Sequence, residues 1–352
     1  MEATQSSLDF LDLLICPGFC VKENIVIRVN EAARRSFLEP GMEISPLLIT
    51  GQEEYASFHG GCLCLRMNIA GRAQGVTVSK VGDVDVFLSD EDTELRELQI
   101  LSLAAKELRL PLSNVILSAD RLNQVQETKE NRETAAQLSR GAAQLQRLIC
   151  NMSDALRYTE GGKLQVHNIT ALFREIFEKI QMLTDHTGVT LHYEGPEEDI
   201  YTLAEPEQLE RAIYNLISNS LKFTPAGGSI EARLKKQGKL LFLTIKDSGT
   251  GIADGILRNI FTRYLRQPSL EDSRFGPGLG MVLIRAAAAN HGGTVLIDRL
   301  ETGTRITVAL AIQKSSQTLV RSPVLTVDYA GERDHGLLEL SESLPAELYQ
   351  AE

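Results

Sequence analysis

Between Asn215 and Gly280, the chain carries three polar and glycine-rich stretches, each beside a regular apolar segment. The first stretch reads Asn215-Leu-Ile-Ser-Asn219-Ser-Leu-Lys222 and closes on a Thr-Pro-Ala-Gly-Gly turn. Residues four apart share one face of a helix, so the two amides and Lys222 are expected side by side. An amide oxygen suits Mg²⁺, because that ion keeps several waters and needs few protein ligands.

The second stretch is Asp247-Ser-Gly249-Thr-Gly251, and it follows the alternating apolar run at 241–245. The alternation predicts a strand that ends at the aspartate. Closely spaced glycines let the backbone approach a flat ligand, and a carboxylate accepts hydrogen bonds from an exocyclic amine. Adenine carries such an amine.

The third stretch is Phe275-Gly276-Pro-Gly278-Leu-Gly280, and an apolar helical run follows it at 282–289. Glycines that open a helix present backbone N–H groups to phosphate oxygens. One glycine triplet alone is usually a turn. The three stretches in this order predict a single pocket for an adenine nucleotide and Mg²⁺.

Together these stretches resemble the ATP-binding domain of sensor histidine kinases, in the GHKL superfamily that includes gyrase, the heat-shock ninety chaperones and MutL. The resemblance also covers Ile-Phe-Thr-Arg-Tyr at 260–264, His291-Gly-Gly-Thr and Gly303-Thr304. It implies an α/β sandwich in which Asn219 holds the metal, Asp247 binds adenine and the glycines after Phe275 form the hinge of an ATP lid. The implied cofactor-binding residues are Asn215, Asn219, Lys222, Asp247, Gly249, Gly251, Gly276, Gly278, Gly280 and Thr304.

Asn215 separates two branches of this superfamily. The ATP-hydrolysing members carry a water-activating glutamate four residues before the magnesium-binding asparagine, and this chain has an amide there, as the kinases do. A positioned general base typically contributes about 10²–10⁴-fold to rate. An ATPase function is therefore disfavoured.

The composition limits the remaining function classes. A length of 352 residues predicts two or three domains, and 43% apolar residues suffice for their cores. The net charge of −11 gives no basic surface for nucleic acid. No apolar run reaches the length of a membrane span, and the first residues lack a secretion signal, so a cytoplasmic protein is expected.

Cys16, Cys20, Cys62 and Cys64 fall in the N-terminal quarter of a chain with five cysteines. The odd number argues against a disulfide framework. The spacings differ from those of structural zinc sites, so buried small side chains are favoured, with a metal or redox role as the alternative.

Residues 1–90 carry signals for two short strands, a short helix and then three more strands. This order, together with Val29-Asn-Glu-Ala-Ala, resembles a PAS sensor domain. No haem or flavin ligand stands out, so a core filled by its own side chains is favoured over a ligand cavity.

Residues 91–160 carry two helical segments whose apolar positions alternate spacings of three and four. The positions are Leu98, Leu101, Ala105, Leu108, Leu112, Val115, Ala119 and Leu122, then Ala135, Leu138, Ala142, Leu145, Ile149, Met152 and Leu156. This pattern predicts a helical hairpin that pairs with a second copy as a four-helix bundle. Packing on a neighbouring domain is the alternative.

The first of these segments contains Ala-Lys106-Glu107-Leu-Arg-Leu110-Pro-Leu, which resembles the kinase phosphoacceptor motif His-Glu-Leu-Arg-Thr-Pro-Leu. Lys106 replaces the acceptor histidine, and a lysine ammonium has no free lone pair with which to accept phosphate. Leu110 replaces the threonine that helps orient water for phosphatase activity in this family, and Glu107 has lost the histidine that it assists. A degenerate scaffold is predicted, with Ser102 or Ser113 as alternative acceptors.

The whole chain is thus expected to be a multidomain α+β protein. Its expected parts are a PAS-like sensor domain at 1–90, the dimerisation hairpin at 91–160, the ATP-binding domain at 161–313 and a C-terminal extension at 314–352. The extension carries a strand signal at 325–329 and is expected to pack on the ATP-binding domain, with partner docking as the alternative.

The predicted function is a cytosolic, homodimeric, histidine-kinase-like signal transducer that binds ATP and Mg²⁺. A separate response regulator or another kinase is the expected partner. The alternatives are an active kinase that uses another acceptor or acts on a partner in trans, and the disfavoured ATPase.

Overall fold

The computed structural model of the chain describes residues 11, 16–89, 91–125, 128–159, 161–252, 279–313 and 334–350. Four features predicted from the sequence lie outside these ranges. They are Gly276, Gly278, the motif at 260–264 and the strand at 325–329.

The described residues of the N-terminal part form six strands and two short α-helices. The strands are β1 (Gly18–Lys22), β2 (Ile25–Val29), β3 (Leu48–Thr50), β4 (Cys62–Ile69), β5 (Arg72–Val81) and β6 (Val84–Leu88), and the helices are α1 (Glu31–Arg35) and α2 (Gln52–Ala56). Asn30 caps α1, because its Oδ1 accepts a hydrogen bond from the Ala33 N–H at 2.8 Å. Phe19 and Phe87 stack at 4.9 Å inside an apolar core that fills this part.

Two long helices, α3 (Glu91–Val125) and α4 (Lys129–Thr159), form the predicted hairpin. Ala105 and Leu112 of α3 pack on Ile149 of α4. At the base of the hairpin, Leu98 and Tyr158 belong to a second apolar cluster with residues of a later helix, so the hairpin also packs on a neighbouring part of the chain.

Residues 165–313 contribute seven strands and three helices to the described structure. The strands are β7 (Gln165–Asn168), β8 (Thr190–Glu194), β9 (Tyr201–Ala204), β10 (Ser229–Gln237), β11 (Leu240–Asp247), β12 (Val295–Arg299) and β13 (Thr304–Ala311), and the helices are α5 (Ile169–Thr184), α6 (Pro206–Phe223) and α7 (Leu279–Asn290). All three helices share one apolar core with the strands. Along β10, Ile230, Ala232 and Leu234 are buried and the residues between them are exposed, as in a two-layer α/β sandwich.

One sheet of the described chain runs through both the N-terminal part and the sandwich. Its order is β2-β1-β6-β5-β4-β12-β13-β11-β10-β8, with β3 also paired to β4. The junction is antiparallel and joins β4 to β12, with Cys64 opposite Val295 and Cys62 opposite Ile297. Strands β7 and β9 form a separate two-stranded sheet.

The cysteines at this junction are structural. Cys62 and Cys64 are buried and belong to the core of the sandwich. Burial raises the pKa of the Cys62 thiol well above its ordinary value, which suppresses thiolate chemistry. Cys20 is also buried and Cys16 is half-buried, so the preferred prediction of buried side chains holds for three of the four N-terminal cysteines, and none of the described cysteines forms a disulfide.

Residues 334–350 form a short helix, α8 (His335–Glu339), and a 3-10 turn at Ala346–Tyr349. Asp334 caps α8, because its Oδ1 accepts from the Gly336 N–H at 2.7 Å. Leu338, Leu340 and Leu344 enter the core of the sandwich. Helix α8 packs on α5 and α6 of the sandwich, as expected for the C-terminal extension, and it also contacts α4 of the hairpin.

Among the described helices, none has the length and apolar character needed to cross a bilayer.

Candidate functional site

Helix α6 positions the two predicted asparagines. Proline stands at its first position, where the missing N–H costs nothing, and the helix continues to Phe223. Asn215 is buried, and its Nδ2 donates to the Arg211 carbonyl at 2.8 Å within the same helix. Its Oδ1 accepts from Arg147 Nη2 at 3.3 Å, so a guanidinium of the hairpin reaches this face of α6.

The start of α7 packs directly on the asparagine face. Asn219 is half-buried, and its Nδ2 lies 3.8 Å from Met281 Sδ. A Cβ atom at Gly280 would lie 2.8 Å from Asn215 Oδ1, which is closer than real Cβ contacts allow. A larger residue at 280 would therefore displace the Asn215 amide or move α7 away from α6.

Asp247 ends β11 and is buried. Its Oδ1 accepts two backbone N–H groups, from Gly249 at 3.0 Å and from Thr304 at 3.2 Å. Burial raises the pKa of Asp247, and the two backbone hydrogen bonds partly offset that rise. Within the described residues, Oδ2 receives no hydrogen bond.

Gly303 lies in the turn before β13, and this turn packs closely against Asp247. A Cβ atom there would lie 1.9 Å from the Asp247 carbonyl oxygen, and its φ of +84° is in the left-handed region. The glycine at 303 therefore lets the turn before β13 pass over the end of β11. The Thr250 N–H donates to the Phe223 carbonyl at 3.2 Å, which ties the same loop to the end of α6.

The segments that carry the described predicted residues contact one another. The first turn of α7 contacts Asn215 and Asn219 of α6, and the loop after β11 contacts both the end of α6 and the turn before β13. These segments carry Asn215, Asn219, Lys222, Asp247, Gly249, Gly251, Gly280 and Thr304.

Lys222 has a partner that the sequence analysis did not anticipate. Its ammonium pairs with the Glu342 carboxylate of the C-terminal segment, and the lysine side chain is only 18% exposed. Arg147 Nη1 lies 3.4 Å from the same carboxylate. A cation predicted to face a nucleotide is thus held by an acid of this chain.

A buried ionic network next to the asparagine face was also missed. Arg211 is fully buried, with Nη1 2.6 Å from Glu339 Oε1 and Nη2 3.0 Å from Asp154 Oδ2. The second Glu339 oxygen lies 3.4 Å from Arg147 Nε. Burial raises the pKa of Glu339, but the Arg211 and Arg147 guanidiniums outweigh that effect and hold it below its ordinary value. An available signal was the single acid inside the apolar run at 337–340.

The phosphoacceptor motif lies on α3. Lys106, Glu107 and Leu110 are exposed there, and Leu110 retains 74% of its accessible surface. Of the two alternative acceptors, Ser102 is buried, and the Ser113 hydroxyl donates to the Arg109 carbonyl at 2.9 Å.

A cavity lined by described residues lies away from this site. It has a volume of about 320 Å³ and is bounded by β4 and β5, the end of α4 and the second half of α7. Arg66, Arg72 and Arg285 are among its lining residues. None of the predicted nucleotide residues lines this cavity.

Comparison with known proteins gives a domain match over the converging segments. Residues 204–314 match the family described as "Histidine kinase-, DNA gyrase B-, and HSP90-like ATPase". The match begins just before α6 and ends just after β13, so it contains every predicted nucleotide residue of the chain.

Curated relatives of the chain are sensor kinases. The chain is 28% identical over 228 residues to the sensor histidine kinase CusS of Escherichia coli O6:H1, an alignment that covers 62% of this chain and 46% of CusS. It is 25% identical over 249 residues to the sensor protein kinase PmrB of Pseudomonas aeruginosa, with 69% of this chain and 51% of PmrB covered. The chain thus spans about half the length of these relatives.

Among solved structures, full-length ShkA in complex with AMPPNP aligns with a TM-score of 0.50 and 22% identity, and it covers 63% of this chain and 47% of ShkA. This likeness concerns the fold. The domain match and the kinase relatives identify residues 204–314 as a histidine-kinase-like ATPase domain.

Proposed function

We propose that the chain binds Mg-ATP and transmits a signal as a homodimer, without phosphorylating itself at the usual acceptor position. The observation that carries the nucleotide proposal is the Asp247 carboxylate. It is buried in a loop that contacts the end of α6, one oxygen is fixed by two backbone N–H groups, and the other receives no hydrogen bond from the described residues.

An adenine amine is the donor that fits this oxygen. The carboxylate is pre-organised by Gly249 and Thr304, so it needs no rearrangement to accept an amine hydrogen. Asn219 would supply an amide oxygen to Mg²⁺, and the N–H groups at the start of α7 would face the phosphates. The AMPPNP bound by ShkA supports this proposal.

Fast hydrolysis of the nucleotide is not part of the proposal. Asn215 stands four residues before Asn219, and both ends of its amide are engaged, by Arg147 and by the Arg211 carbonyl. An amide in this position cannot take a proton from water as a carboxylate does.

The proposed loss of self-phosphorylation rests on α3. The exposed side chain at the acceptor position is Lys106, a cation without a lone pair, and Leu110 beside it has no hydroxyl. Ser102 is buried, which makes it a poor substitute acceptor. The remaining output is a nucleotide-dependent change of conformation, with a response regulator or another kinase as the proposed partner.

Incubation of the full chain with γ-labelled ATP tests this function against its alternatives. We expect nucleotide binding with neither label retained on the chain nor free phosphate released at a useful rate. Retained label would favour an active kinase with another acceptor. Rapid release of phosphate would favour an ATPase.

Replacement of Asp247 tests the pocket itself. Asp247→Asn keeps an oxygen for the Gly249 and Thr304 N–H groups but places an amide donor against the adenine amine. A hydrogen bond to a charged group is worth about 1.5–3 kcal/mol, so Mg-AMPPNP should bind roughly 10–100-fold more weakly in calorimetry.

The matched control is Asp298→Asn, which removes a half-exposed acid of the same domain that pairs with Arg305. This variant should bind the nucleotide as the unaltered chain does. Equal affinities for both variants, with melting temperatures retained, would remove Asp247 from the pocket.

A further inference from the structure

The C-terminal segment, residues 334–350, places an acid on two cations beside the proposed nucleotide site. Glu342 pairs with Lys222 of α6 and lies 3.4 Å from Arg147 of α4. Burial raises the pKa of Glu342, but Arg147 and Lys222 outweigh that effect and hold it below its ordinary value. The carboxylate is therefore an anion at neutral pH.

Both cations border the space assigned to the phosphates. Lys222 lies about one turn beyond Asn219 on α6. Arg147 Nη2 lies 3.3 Å from Asn215 Oδ1. Gly280 of α7 packs against the same oxygen atom. A carboxylate and a phosphate both bind such cations through anionic oxygens, so they compete for the same donors.

The backbone around Glu342 is fixed in this position. Arg140 Nε donates to the Ser341 carbonyl at 3.0 Å, and Arg140 Nη2 donates to the Glu342 carbonyl at 3.0 Å. Glu339 anchors the preceding turn as the fully buried partner of Arg147 and Arg211. The segment thus bridges the hairpin and the ATPase domain.

We propose that the C-terminal segment is an internal competitor of the nucleotide, with Glu342 occupying the lysine and arginine that the triphosphate would otherwise engage. This inference rests on the proposed nucleotide function. Because coupling between two sites is reciprocal, docking of Glu342 weakens triphosphate binding, and a bound triphosphate loosens the segment. Nucleotide binding then releases a contact that holds α6 against α4.

Calorimetry with Glu342→Gln and a matched ligand pair tests the competition. We expect Mg-AMPPNP to bind about three- to tenfold more tightly to Glu342→Gln than to the unaltered chain, because a charged competitor is removed. Adenosine has no phosphate and should bind both proteins equally. The control Glu347→Gln alters an acid of the same segment that has no ion pair in the described structure, and it should leave both affinities unchanged.

Hydrogen exchange on the unaltered chain provides a second test that does not depend on a variant. Saturating Mg-AMPPNP should speed amide exchange at 339–344, whereas adenosine should not. Binding of Mg-AMPPNP with no gain for Glu342→Gln and no change in exchange would overturn the competition and leave the proposed function standing. Absence of AMPPNP binding by every variant would overturn the proposed function as well.

Discussion

Arg211 shows what the sequence conceals at the scale of single residues. It is among the largest fully buried side chains of the described structure, although arginine side chains are rarely fully buried. Its partner Glu339 lies 128 positions later in the chain, so no local pattern joins the two residues. The position of Asp247 at the end of a strand was predictable, because the alternating run before it and the glycines at 249 and 251 are local signals.

Glu210, the neighbour of Arg211, is buried with only partial compensation for its charge. It retains 3% of its accessible surface, and its Oε2 has no hydrogen-bond partner in the described structure. Burial raises the pKa of Glu210 to about 7, and Lys179 offsets only part of that rise. Ionisation of this side chain therefore costs folding free energy.

Glu210→Gln should increase the stability of the chain at alkaline pH. The native state holds a proton on Glu210 that the unfolded state has already released, so the native protein loses stability as the pH rises from about 4.5 to about 7. The variant lacks this loss. Chemical denaturation at pH 8 should show a free energy of unfolding higher by about 1–3 kcal/mol.

The gain of Glu210→Gln should vanish toward pH 4, where the native carboxyl is neutral. Glu178→Gln is the control, since that acid is exposed on α5 and its removal should change stability by less than about 0.5 kcal/mol. A gain of the same size at pH 4 and pH 8 would contradict the assigned titration.

At the scale of elements, α3 carries more apolar surface than the predicted seam. Leu98, Ala105, Leu112 and Ala119, at intervals of seven, are buried. Leu108, Val115 and Leu122, also at intervals of seven, are 43–47% exposed and form the seam proposed to meet a second copy. A third stripe, Leu103, Leu110 and Leu117, is 58–74% exposed on another face. Spacing alone predicted the first two stripes and overlooked the third.

Lysine substitutions in one stripe at a time test which stripe forms the interface of the proposed dimer. Val115→Lys combined with Leu108→Lys buries two ammonium groups in the proposed seam and should convert the dimer to a monomer in analytical ultracentrifugation. Leu117→Lys combined with Leu110→Lys is the matched control and should leave the dimer intact. The reverse result would move the interface to the third stripe.

At the scale of the whole molecule, the pairing of β4 with β12 joins parts that the sequence analysis treated as separate domains. Both strands were predictable from their own residues, because alternation and turn glycines are local signals. Their pairing was not predictable, because an edge strand offers the same N–H and C=O groups to any partner. The domain boundaries proposed near residues 90 and 161 divide the chain in sequence order, whereas one sheet contains strands from both sides of them.

A substitution at Gly61 tests whether the β4–β12 junction depends on close packing. A Cβ atom there would lie 2.1 Å from the Ile297 carbonyl oxygen, so Gly61→Ala should push β12 away from β4. Backbone amides at 62–64 and 295–297 should then exchange with solvent at least about tenfold faster, as an opening cost lower by about 1.4 kcal/mol implies.

The control for this variant is Gly71→Ala. Gly71 has a φ of +79°, similar to the +87° of Gly61, but a Cβ atom at 71 meets nothing within 4 Å. Both variants therefore place alanine at a similar positive φ, and they differ in the clash. Equal exchange in the two variants would show that the junction does not depend on close approach at Gly61.

Two connections join the N-terminal strands to the ATPase domain. The N-terminal strands reach the ATPase domain along the covalent path through the hairpin and also sideways, through three residue pairs between β4 and β12. A torque applied to one path is resisted by the other, so the hairpin cannot twist freely while the strands stay together. The short ladder therefore restricts rotation of the hairpin relative to the ATPase domain for as long as β4 and β12 stay paired.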